Sequence, residues 1–547
     1  MLKLATILDN PGEPVAETRY RDPQELRRLG FTGLVLFETT ALSGVEGPES
    51  VATGEVRRWI EQYFDLVRQR IEEARAAELK VYLAYDVLSL PVDLVEADPP
   101  AVSCQNGAMM LCPALTGALD RSVGALRALL GQLPEVHGVV LRFGDNDASR
   151  LPHLIGNDIY QPHCARCCNL GRADRIIKVV ETFYRMVVQN LNKRLIVRAW
   201  NVNPNGLHDS VDLCQRVQAR LPGSSDDDHL ILSFKFTQAD FWRYQHWNPA
   251  SLDMGGRPVI YELECQREFE GKGTIPNWQI PLWRDGPPEM PDNMAGLASV
   301  VRRINLVGLW AWVRGGGWGG PFVADEAWID ANVYAVPQLA DRPDADPKEL
   351  ARGWIEQRLG VTDGQVIAIL QQILEHSPRI VLQAFYIGPF AATRTDPWHP
   401  NADWIQDDLV DARAAWRMVQ RLPESLVEQA VAEKRTAVEW IASDGVALQR
   451  LVSDENRRTL EPLVHSLVYA ESLLRSLYHL IAGLVAYRRF QIHQRGSAAQ
   501  QCRRHLVDAQ SHWNQHTQRH SSLPGAATAF REVHFWDLTQ EIIAEVG

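Results

Sequence analysis

The feature that most constrains this chain is a rhythm repeated through its first 335 residues. A short β-branched or aliphatic run is followed by a loop rich in Gly, Pro, Asn or Asp, and then by a longer segment with helical periodicity. Because parallel neighbouring strands need a long crossover connection, this alternation predicts parallel strands joined by helices. The runs predicted to be strands are 33–37, 80–85, 138–143, 194–200, 229–236, 258–263, 278–283 and 306–312.

Eight strands are the number that a (β/α)8 TIM-like barrel requires, and about 300 residues is a suitable size for one. Amphipathic stretches at 57–77, 119–130 and 175–190 are long enough to cross back over a barrel strand. An open doubly wound sheet remains the alternative, because periodicity does not show closure. No glycine-rich nucleotide loop follows any predicted strand, which disfavours dinucleotide and ATP chemistry.

The pattern changes after residue 337. A linker-like stretch at 341–347 precedes helical patterns at 409–422, 425–441 and 460–489, with few strand-like runs between them. We therefore predict a catalytic (β/α)8 barrel over 1–337 and an all-α C-terminal domain over 338–547. This helical domain would cover one side of the barrel, and it is the candidate surface for a homodimer. Its aromatic and polar segment 395–404 is the candidate to reach the rim of the barrel.

Composition and charge exclude several classes of partner. The net charge is -12 and no block of clustered Lys and Arg occurs, so no nucleic-acid partner is expected. The first apolar run is too short for a signal peptide and meets Asp9 at once, and no window approaches the roughly 18 apolar residues of a membrane span. Eight cysteines in 547 residues are too few for a disulfide scaffold. A cytoplasmic protein with no membrane partner is the expectation.

Acidic and amide side chains dominate the positions that follow the predicted strands. In a barrel these positions form the active face, so they are the ones to inspect for chemistry. They are Glu38, Asp86, Asp145, Asp147, Asn201, Asn203, Asp240, Glu264, Glu268, Asp285 and Arg314. Two carboxylates facing each other across a pocket can hydrolyse a glycosidic bond. Barrel isomerases, lyases and metal enzymes show the same inventory, so the strand ends alone leave the reaction open.

One pairing of carboxylates resembles a known family. Asp240 is the last residue but one of the run 232–241, and Glu268 follows it 28 residues later inside the segment 261–271. The α-glucuronidases of glycoside hydrolase family 67 carry a similar Lys-x-x-x-x-Asp-Phe strand end and a similar Leu-Glu-Phe-Gln-x-x-Gln-Glu-Tyr-x-Gly segment. The resemblance spans roughly residues 105–360. It implies that Asp240 and Glu268 together activate water in an inverting reaction.

The chain departs from that family at the proton donor. The family has a Glu on a strand that matches residues 139–147, and an alignment without gaps places Asn146 there, whose amide cannot donate a proton as a carboxylic acid does. Asp145 or Asp147 would be the proton donor if the alignment of the loop shifts by one residue, and Asp145 is closer to the strand end. The first strand-like runs of the sequence already belong to the predicted barrel, so we expect no counterpart of the family's N-terminal β-sandwich. A distant relative with an altered substrate is predicted.

Further residues are predicted to bind the substrate. The resemblance implies that Arg142 and Arg198 hold a uronate carboxylate, since a guanidinium suits one. The alternative is that an inward arginine pairs with Asp240 or Glu264. Tryptophan is abundant, at 17 residues, and some strand-end tryptophans are expected to be sugar platforms, although they also fill cores. The other predicted substrate-binding residues are Glu38, Asp86, Trp200, Asn201, Glu264, Trp312, Arg314 and Trp318.

Cysteines 164 and 167, with His163 and Cys168 beside them, form the first half of a zinc knuckle. The sequence shows no second pair at a fitting spacing, and a reduced thiol cluster is the alternative. We therefore expect no metal and no cofactor.

These patterns predict a glycoside hydrolase of oligosaccharide or polysaccharide degradation that removes a terminal sugar by inversion, with a uronic acid as a candidate glycone. Two alternatives stay open: a sugar-binding protein on a degenerate glycosidase barrel, and a uronate isomerase or lyase. The glycone, the linkage and the anomer are not readable from the sequence.

Overall fold

The computed structural model describes most of the chain. The described residues are 1–13, 15–51, 54–104, 110–145, 151, 153–156, 158–160, 164–224, 227–292, 294–315, 325–393, 398–401, 403–406, 409–520 and 530–547. Four residues that the sequence singled out, Asn146, Asp147, His163 and Trp318, lie outside these ranges.

Eight parallel strands close into a barrel in which each strand pairs with its neighbours in the chain and the last pairs with the first. The strands are β1 (Leu2–Leu8), β2 (Gly33–Leu36), β3 (Lys80–Asp86), β4 (Gly138–Gly144), β5 (Arg194–Asn201), β6 (Leu230–Lys235), β7 (Pro258–Glu264) and β8 (Asn305–Gly315). The (β/α)8 prediction is confirmed, and the open doubly wound sheet is excluded.

One of the eight predicted strands was wrong, and one real strand was missed. Residues 278–283 were predicted to be a strand, but a helix begins at Ile280 with Pro281 in its first turn. Proline has no N–H for a central ladder and its fixed φ suits a helix start, so Pro281 favours the helix. The missing strand is Leu2–Leu8, whose middle residues are fully buried. Its apolar run is too short to span a membrane but has the ordinary length of a strand.

The strands read as nearly continuous apolar runs because helices cover the outside of the barrel and side chains fill its inside. All seven residues of β4 and all seven of β7 are buried. The helices of this part are α1 (Pro23–Leu29), α2 (Gly54–Ala76), α3 (Val92–Ala97), α4 (Pro99–Val102), α5 (Thr116–Gln132), α6 (Ala165–Cys168), α7 (Arg172–Tyr184), α8 (Val211–Gln218), α9 (Ile280–Asp285), α10 (Leu297–Val300) and α11 (Ala327–Asp341).

The rest of the chain is mainly helical. Its helices are α12 (Pro347–Gln357), α13 (Gly364–Phe385), α14 (Gly388–Ala391), α15 (Ala412–Arg421), α16 (Val427–Gln449), α17 (Arg457–His493), α18 (Gly496–His520) and α19 (Phe535–Glu545). A small sheet joins Ile405–Gln406, Leu409–Asp411 and Arg531–Val533. Pro337, the predicted boundary, lies inside α11, and the division at 337 stays a prediction. Among the described residues, no helix is both long and apolar enough to cross a bilayer.

The helical region contacts the loops at the carboxyl end of the barrel. The hydroxyl of Tyr386, just after α13, donates to Glu270 Oε1 at 2.9 Å and accepts from the backbone N–H of Arg243 at 3.3 Å. The Ser377 hydroxyl accepts from the backbone N–H of Trp278 at 2.9 Å. These bonds hold the loops that follow β6 and β7, which carry Asp240 and Glu268.

Candidate functional site

A pocket opens where the barrel strands end. The residues that line it are Leu8, Asn10, Glu13, Phe37, Asp145, Trp200, Val202, Lys235, Asp240, Glu268 and Trp312. The fold thus brings together five predicted site residues that are far apart in the chain: Asp145, Trp200, Asp240, Glu268 and Trp312. A larger cavity of about 600 Å³ lies between α9, α12 and α13, away from the strand ends, so we take the pocket at the strand ends as the candidate site.

Lys235, the last residue of β6, is a pocket residue that sequence analysis did not select. It is only 2% exposed. Its ammonium donates to Asp240 Oδ1 and lies 4.0, 4.5 and 4.7 Å from the ring centroids of Trp200, Phe241 and Trp312. Aromatic faces attract a desolvated cation. A lysine that ends an apolar strand five residues before Asp240 was the available signal.

The loop that carries Asp240 has an uncommon backbone conformation. Asp240 and Phe241 have φ angles of 41° and 60°, in the left-handed region that non-glycine residues rarely adopt. Such residues persist only where their surroundings hold them. Here the Phe241 N–H donates to Thr237 Oγ1 at 2.9 Å, and the Phe241 carbonyl accepts from Arg267 Nη2 at 2.7 Å.

Arg267 connects the loop of Asp240 with the loop of Glu268. Its guanidinium is buried and donates to Glu270 through Nε at 3.0 Å and through Nη2 at 2.8 Å. Its Nη1 lies 3.7 Å from Glu264 Oε2. Since the same side chain also binds the Phe241 carbonyl, one cation fixes the two candidate catalytic loops relative to each other.

Glu264 ends β7 and lies behind the pocket wall. Its Oε1 accepts the backbone N–H of Glu268 at 2.8 Å, so it positions that residue. Burial raises the pKa of Glu264 to about 7, although Arg267, the Glu268 N–H and Lys235 act in the opposite direction. Glu264 therefore holds a proton at pH values where an exposed carboxyl group has lost it.

This raised pKa gives the stability a defined pH dependence. The folded chain binds a proton at Glu264 more tightly than the unfolded chain, so the contribution is complete below about pH 4.3, the ordinary Glu pKa, and is lost as the pH rises through about 7. In Glu264→Gln, which keeps an acceptor for the Glu268 N–H, we expect a smaller fall in the free energy of unfolding between pH 5 and pH 8, measured by urea denaturation. Glu439→Gln, on the exposed face of α16, should reproduce the unsubstituted protein. An unchanged pH dependence in Glu264→Gln would contradict the assignment.

Asp145 follows β4 and is surrounded by cations. Arg198 Nη1 donates to its Oδ2 at 2.9 Å, and Arg142 Nη2 donates to its backbone carbonyl. Burial alone would raise the pKa of Asp145, but the charges of Arg142, Arg198 and Lys235 outweigh burial and hold the pKa below its ordinary value. An ionised Asp145 does not fit the predicted role of proton donor.

The two inward arginines pair with carboxylates other than those the sequence suggested. Arg142 Nη1 lies 3.3 Å from Asp86 Oδ1, its register partner on β3. Arg198 Nε lies 3.1 Å from Glu262 Oε2, and Glu262 Oε1 accepts from the Ser233 hydroxyl at 2.7 Å. Glu262 went unnoticed in the sequence because it lies within β7, although it shares a face with Glu264 two residues later.

Glu38, Asn201 and Arg314 lie at strand ends but do not line the pocket. Asp285, predicted to follow a strand, instead ends the helix α9. Glu38 is buried with its Oε1 3.7 Å from Arg70 Nε of α2, and burial raises the pKa of Glu38 to about 7. Asn201 is buried at the end of β5 and donates to the Asn203 carbonyl. Arg314 is buried at the end of β8, with Nη1 3.1 Å from Gln266 Oε1 and Nε 3.3 Å from Glu326 Oε1.

A residue of the segment that follows α14 packs against one wall of the pocket. Trp200 lines the pocket and stacks on Trp398, with ring centroids 5.5 Å apart and planes inclined by 19°. Trp398 belongs to the segment 395–404 that was predicted to reach the rim of the barrel. The aromatic residues that line the pocket are Phe37, Trp200 and Trp312.

The comparisons with known proteins found matches only among solved structures. No family model matches the sequence, and no curated protein matches it. A GH138 enzyme targeting pectin rhamnogalacturonan II has a TM-score of 0.57 at 12% identity, over 100% of this chain and 67% of that chain. The fold is one that glycoside hydrolases have. A mutant of the Thermobaculum terrenum O-GlcNAc hydrolase has a TM-score of 0.45 at 9% identity, over 100% of this chain and 94% of that one. The shared fold with the GH138 enzyme gives no specific support to family 67.

Proposed function

We propose that the protein is a glycoside hydrolase whose pocket receives the terminal sugar of an oligosaccharide. The observation that carries the proposal is the convergence of Asp145, Asp240 and Glu268 on one aromatic pocket at the carboxyl end of a barrel. Glycoside hydrolysis needs carboxylates on both sides of the scissile bond and a surface on which the sugar ring packs. The shared fold with a GH138 enzyme agrees with this proposal but does not identify the substrate.

In the proposed mechanism, Asp240 and Glu268 orient a water molecule and take its proton as it attacks the anomeric carbon. Lys235 holds the Asp240 carboxylate, and Glu264 holds the backbone of Glu268. Asp145, kept ionised by its cations, offsets the positive charge that develops on the sugar ring in the transition state. Asp147, the other donor that the sequence suggests, is the proposed general acid, and it lies outside the described residues.

We propose a uronic acid as the glycone because three cations, Arg142, Arg198 and Lys235, surround Asp145 at this end of the barrel. Lys235 lines the pocket and is the cation that a sugar carboxylate would meet. A neutral sugar is the competing glycone. It would leave intact the pairs that these cations form with Asp86, Glu262, Asp145 and Asp240.

The variant Lys235→Met tests whether the glycone is a uronic acid or a neutral sugar. If Lys235 binds a sugar carboxylate, kcat/KM should fall about 10- to 100-fold more on an aryl uronide than on the matching neutral aryl glycoside, since a hydrogen bond to a charged group contributes about 1.5–3 kcal/mol. Lys348→Met, an exposed lysine of α12, is the matched control and should leave both values unchanged. Equal losses on the two substrates would contradict the uronate assignment.

The direct test of hydrolysis is an incubation with a panel of aryl glycosides of uronic acids and neutral sugars in H₂¹⁸O. A hydrolase should release the aglycone and place one solvent oxygen on the anomeric carbon, and ¹H NMR of the first product should show the inverted anomer. An isomerase or lyase would leave the anomeric carbon without solvent oxygen, and that result would overturn the proposal.

A sugar-binding protein on a degenerate barrel is the second candidate. The observation that favours it is the contact of Asp145 with Arg142 and Arg198, whose charges lower the pKa of the described carboxyl group closest to the family's proton-donor position. Titration calorimetry with oligosaccharides would then show binding, while the whole aryl glycoside panel would remain unhydrolysed.

A further inference from the structure

Four cysteines from two separate loops at the carboxyl end of the barrel meet in one cluster. Cys104 and Cys112 lie between β3 and α5, while Cys164 and Cys167 lie between β4 and α7. Each is at most 5% exposed. Their sulfur atoms all lie within 4.8 Å of one another. The Sγ atoms are 3.9 Å apart for Cys104 and Cys167, 3.6 Å for Cys112 and Cys164, and 3.5 Å for Cys164 and Cys167.

These distances match the edges of a tetrahedral metal–thiolate centre. With a Zn–S bond of about 2.3 Å, the edge of a regular ZnS₄ tetrahedron is about 3.8 Å. A disulfide would bring two sulfurs to about 2.05 Å, so none of the measured pairs is bonded. We propose that Cys104, Cys112, Cys164 and Cys167 bind one structural Zn²⁺.

The backbone around the four thiols is arranged as such a centre requires. The Cys104 N–H donates to the Met110 carbonyl at 2.7 Å and the Cys112 N–H to the Val102 carbonyl at 2.8 Å, and these bonds bring the two cysteines side by side. In the other loop, the Cys164 N–H donates to Cys167 Sγ at 3.2 Å. Backbone N–H groups stabilise metal-bound thiolates and set their orientation.

Two arginines lie close to the cluster and balance its charge. Four thiolates around one Zn²⁺ carry a net charge of −2. Arg166 Nη2 donates to the Ser103 carbonyl at 3.0 Å, and Arg175 Nη1 donates to the Cys167 carbonyl at 3.1 Å. Each side chain is therefore anchored on a residue that is, or adjoins, a ligand, and each brings a positive charge to the centre.

Four protein ligands fill a tetrahedral shell and leave no position for water or substrate, which is the pattern of a structural site. The metal would join the loop after β3 to the loop after β4. These neighbouring strands end in Asp86 and lead into Asp145, which both contact Arg142. The zinc would thus fix the side of the pocket that carries Asp145.

Sequence analysis found only half of this centre. Cys164 and Cys167 have the Cys-x-x-Cys spacing, but Cys104 and Cys112 are separated by seven residues and lie more than 50 residues upstream. Only the pairing of β3 with β4 brings the two loops together. The proposed zinc replaces the expectation that the protein holds no metal.

Metal analysis of the purified full chain tests the proposal. Plasma mass spectrometry should find one zinc per chain, released by a mercurial reagent that modifies thiols. The Co²⁺-substituted protein should show the thiolate charge-transfer band and the intense d–d bands of tetrahedral Co²⁺. Cys112→Ser and Cys164→Ser should lose the zinc, while Cys168→Ser should keep it, because Cys168 is exposed and lies outside the cluster.

A second measurement covers the case in which a ligand variant does not fold. A strong chelator should lower the melting temperature of the unsubstituted protein, because metal binding stabilises only the folded state. The same chelator should leave the melting temperature of any folded ligand variant unchanged. Unsubstituted protein that contains only background metal and four titratable thiols at the cluster would overturn the proposal, as would full zinc in both serine variants.

Discussion

Asp240→Asn and Glu268→Gln should each lower kcat for glycoside hydrolysis by about a thousandfold, within the range for loss of a positioned acid or base. Both carboxylates line the pocket. An amide of the same shape still accepts a hydrogen bond but does not take a proton from water at neutral pH. KM should change far less than kcat, because the aromatic walls that bind the sugar ring remain. Initial rates on the best aryl glycoside of the panel, over a range of concentrations, measure both constants.

The matched control is Asp253→Asn, an exposed carboxylate on the same β6–β7 connection, which should retain full activity. Circular dichroism and the melting temperature of each variant separate lost chemistry from lost folding. Asp240→Asn also removes the counter-charge of the buried Lys235, so it should be the less stable of the two variants. Full activity in both would refute the assignment of this pocket as the active site.

The barrel could be predicted because its strands are buried on both faces and therefore read as apolar runs between turn residues. That signal does not distinguish a short strand from the first turn of a buried helix. For this reason residues 278–283 were wrongly predicted to be a strand. The position of Pro281 was the local feature that favoured a helix. The strand Leu2–Leu8 carried the same apolar signal, but only its pairing with β2 and β8 closes the barrel.

In the candidate site, too, some residues could be selected from the sequence and others could not. Asp240 and Glu268 could be selected because a barrel places the residues after its strands at one face. Glu262, a partner of Arg198, could not, since it belongs to β7 and reaches Arg198 of β5 across the interior, past β6. Interior layers of a barrel combine side chains from alternate strands. This contact depends on strand order and register, which are properties of the closed barrel and not of any segment.

Lys235 and Arg267 show why the chemistry of the site depends on its surroundings. Lys235 is held by three aromatic rings from β5, β8 and the loop after β6, and it binds Asp240. Arg267 holds the loop of Asp240 against the loop of Glu268. Neither residue belongs to the predicted site, yet the orientation of both candidate catalytic carboxylates depends on them.

Arg267→Met should lower the free energy of unfolding by about 3–5 kcal/mol, as expected when one partner of a buried ion pair is removed. Methionine fills a similar volume but leaves Glu270 buried without its bidentate partner. Burial raises the pKa of Glu270, but the charges of Arg267 and Arg243 outweigh burial and hold that pKa below its ordinary value. Without Arg267 the pKa should rise, so the loss of stability should be larger at pH 8 than at pH 5. Urea denaturation at the two pH values measures it.

Arg284→Met is the control, because Arg284 pairs with the half-exposed Asp285 and should contribute less than about 1 kcal/mol. The double variant Arg267→Met, Glu270→Gln should recover part of the lost stability, since the amide needs no counter-charge in the interior. A loss no larger than that of Arg284→Met would contradict the role of Arg267. If the role is right, the activity of Arg267→Met should fall even at temperatures where it stays folded, because the Phe241 carbonyl loses its donor and Asp240 is no longer held beside Lys235.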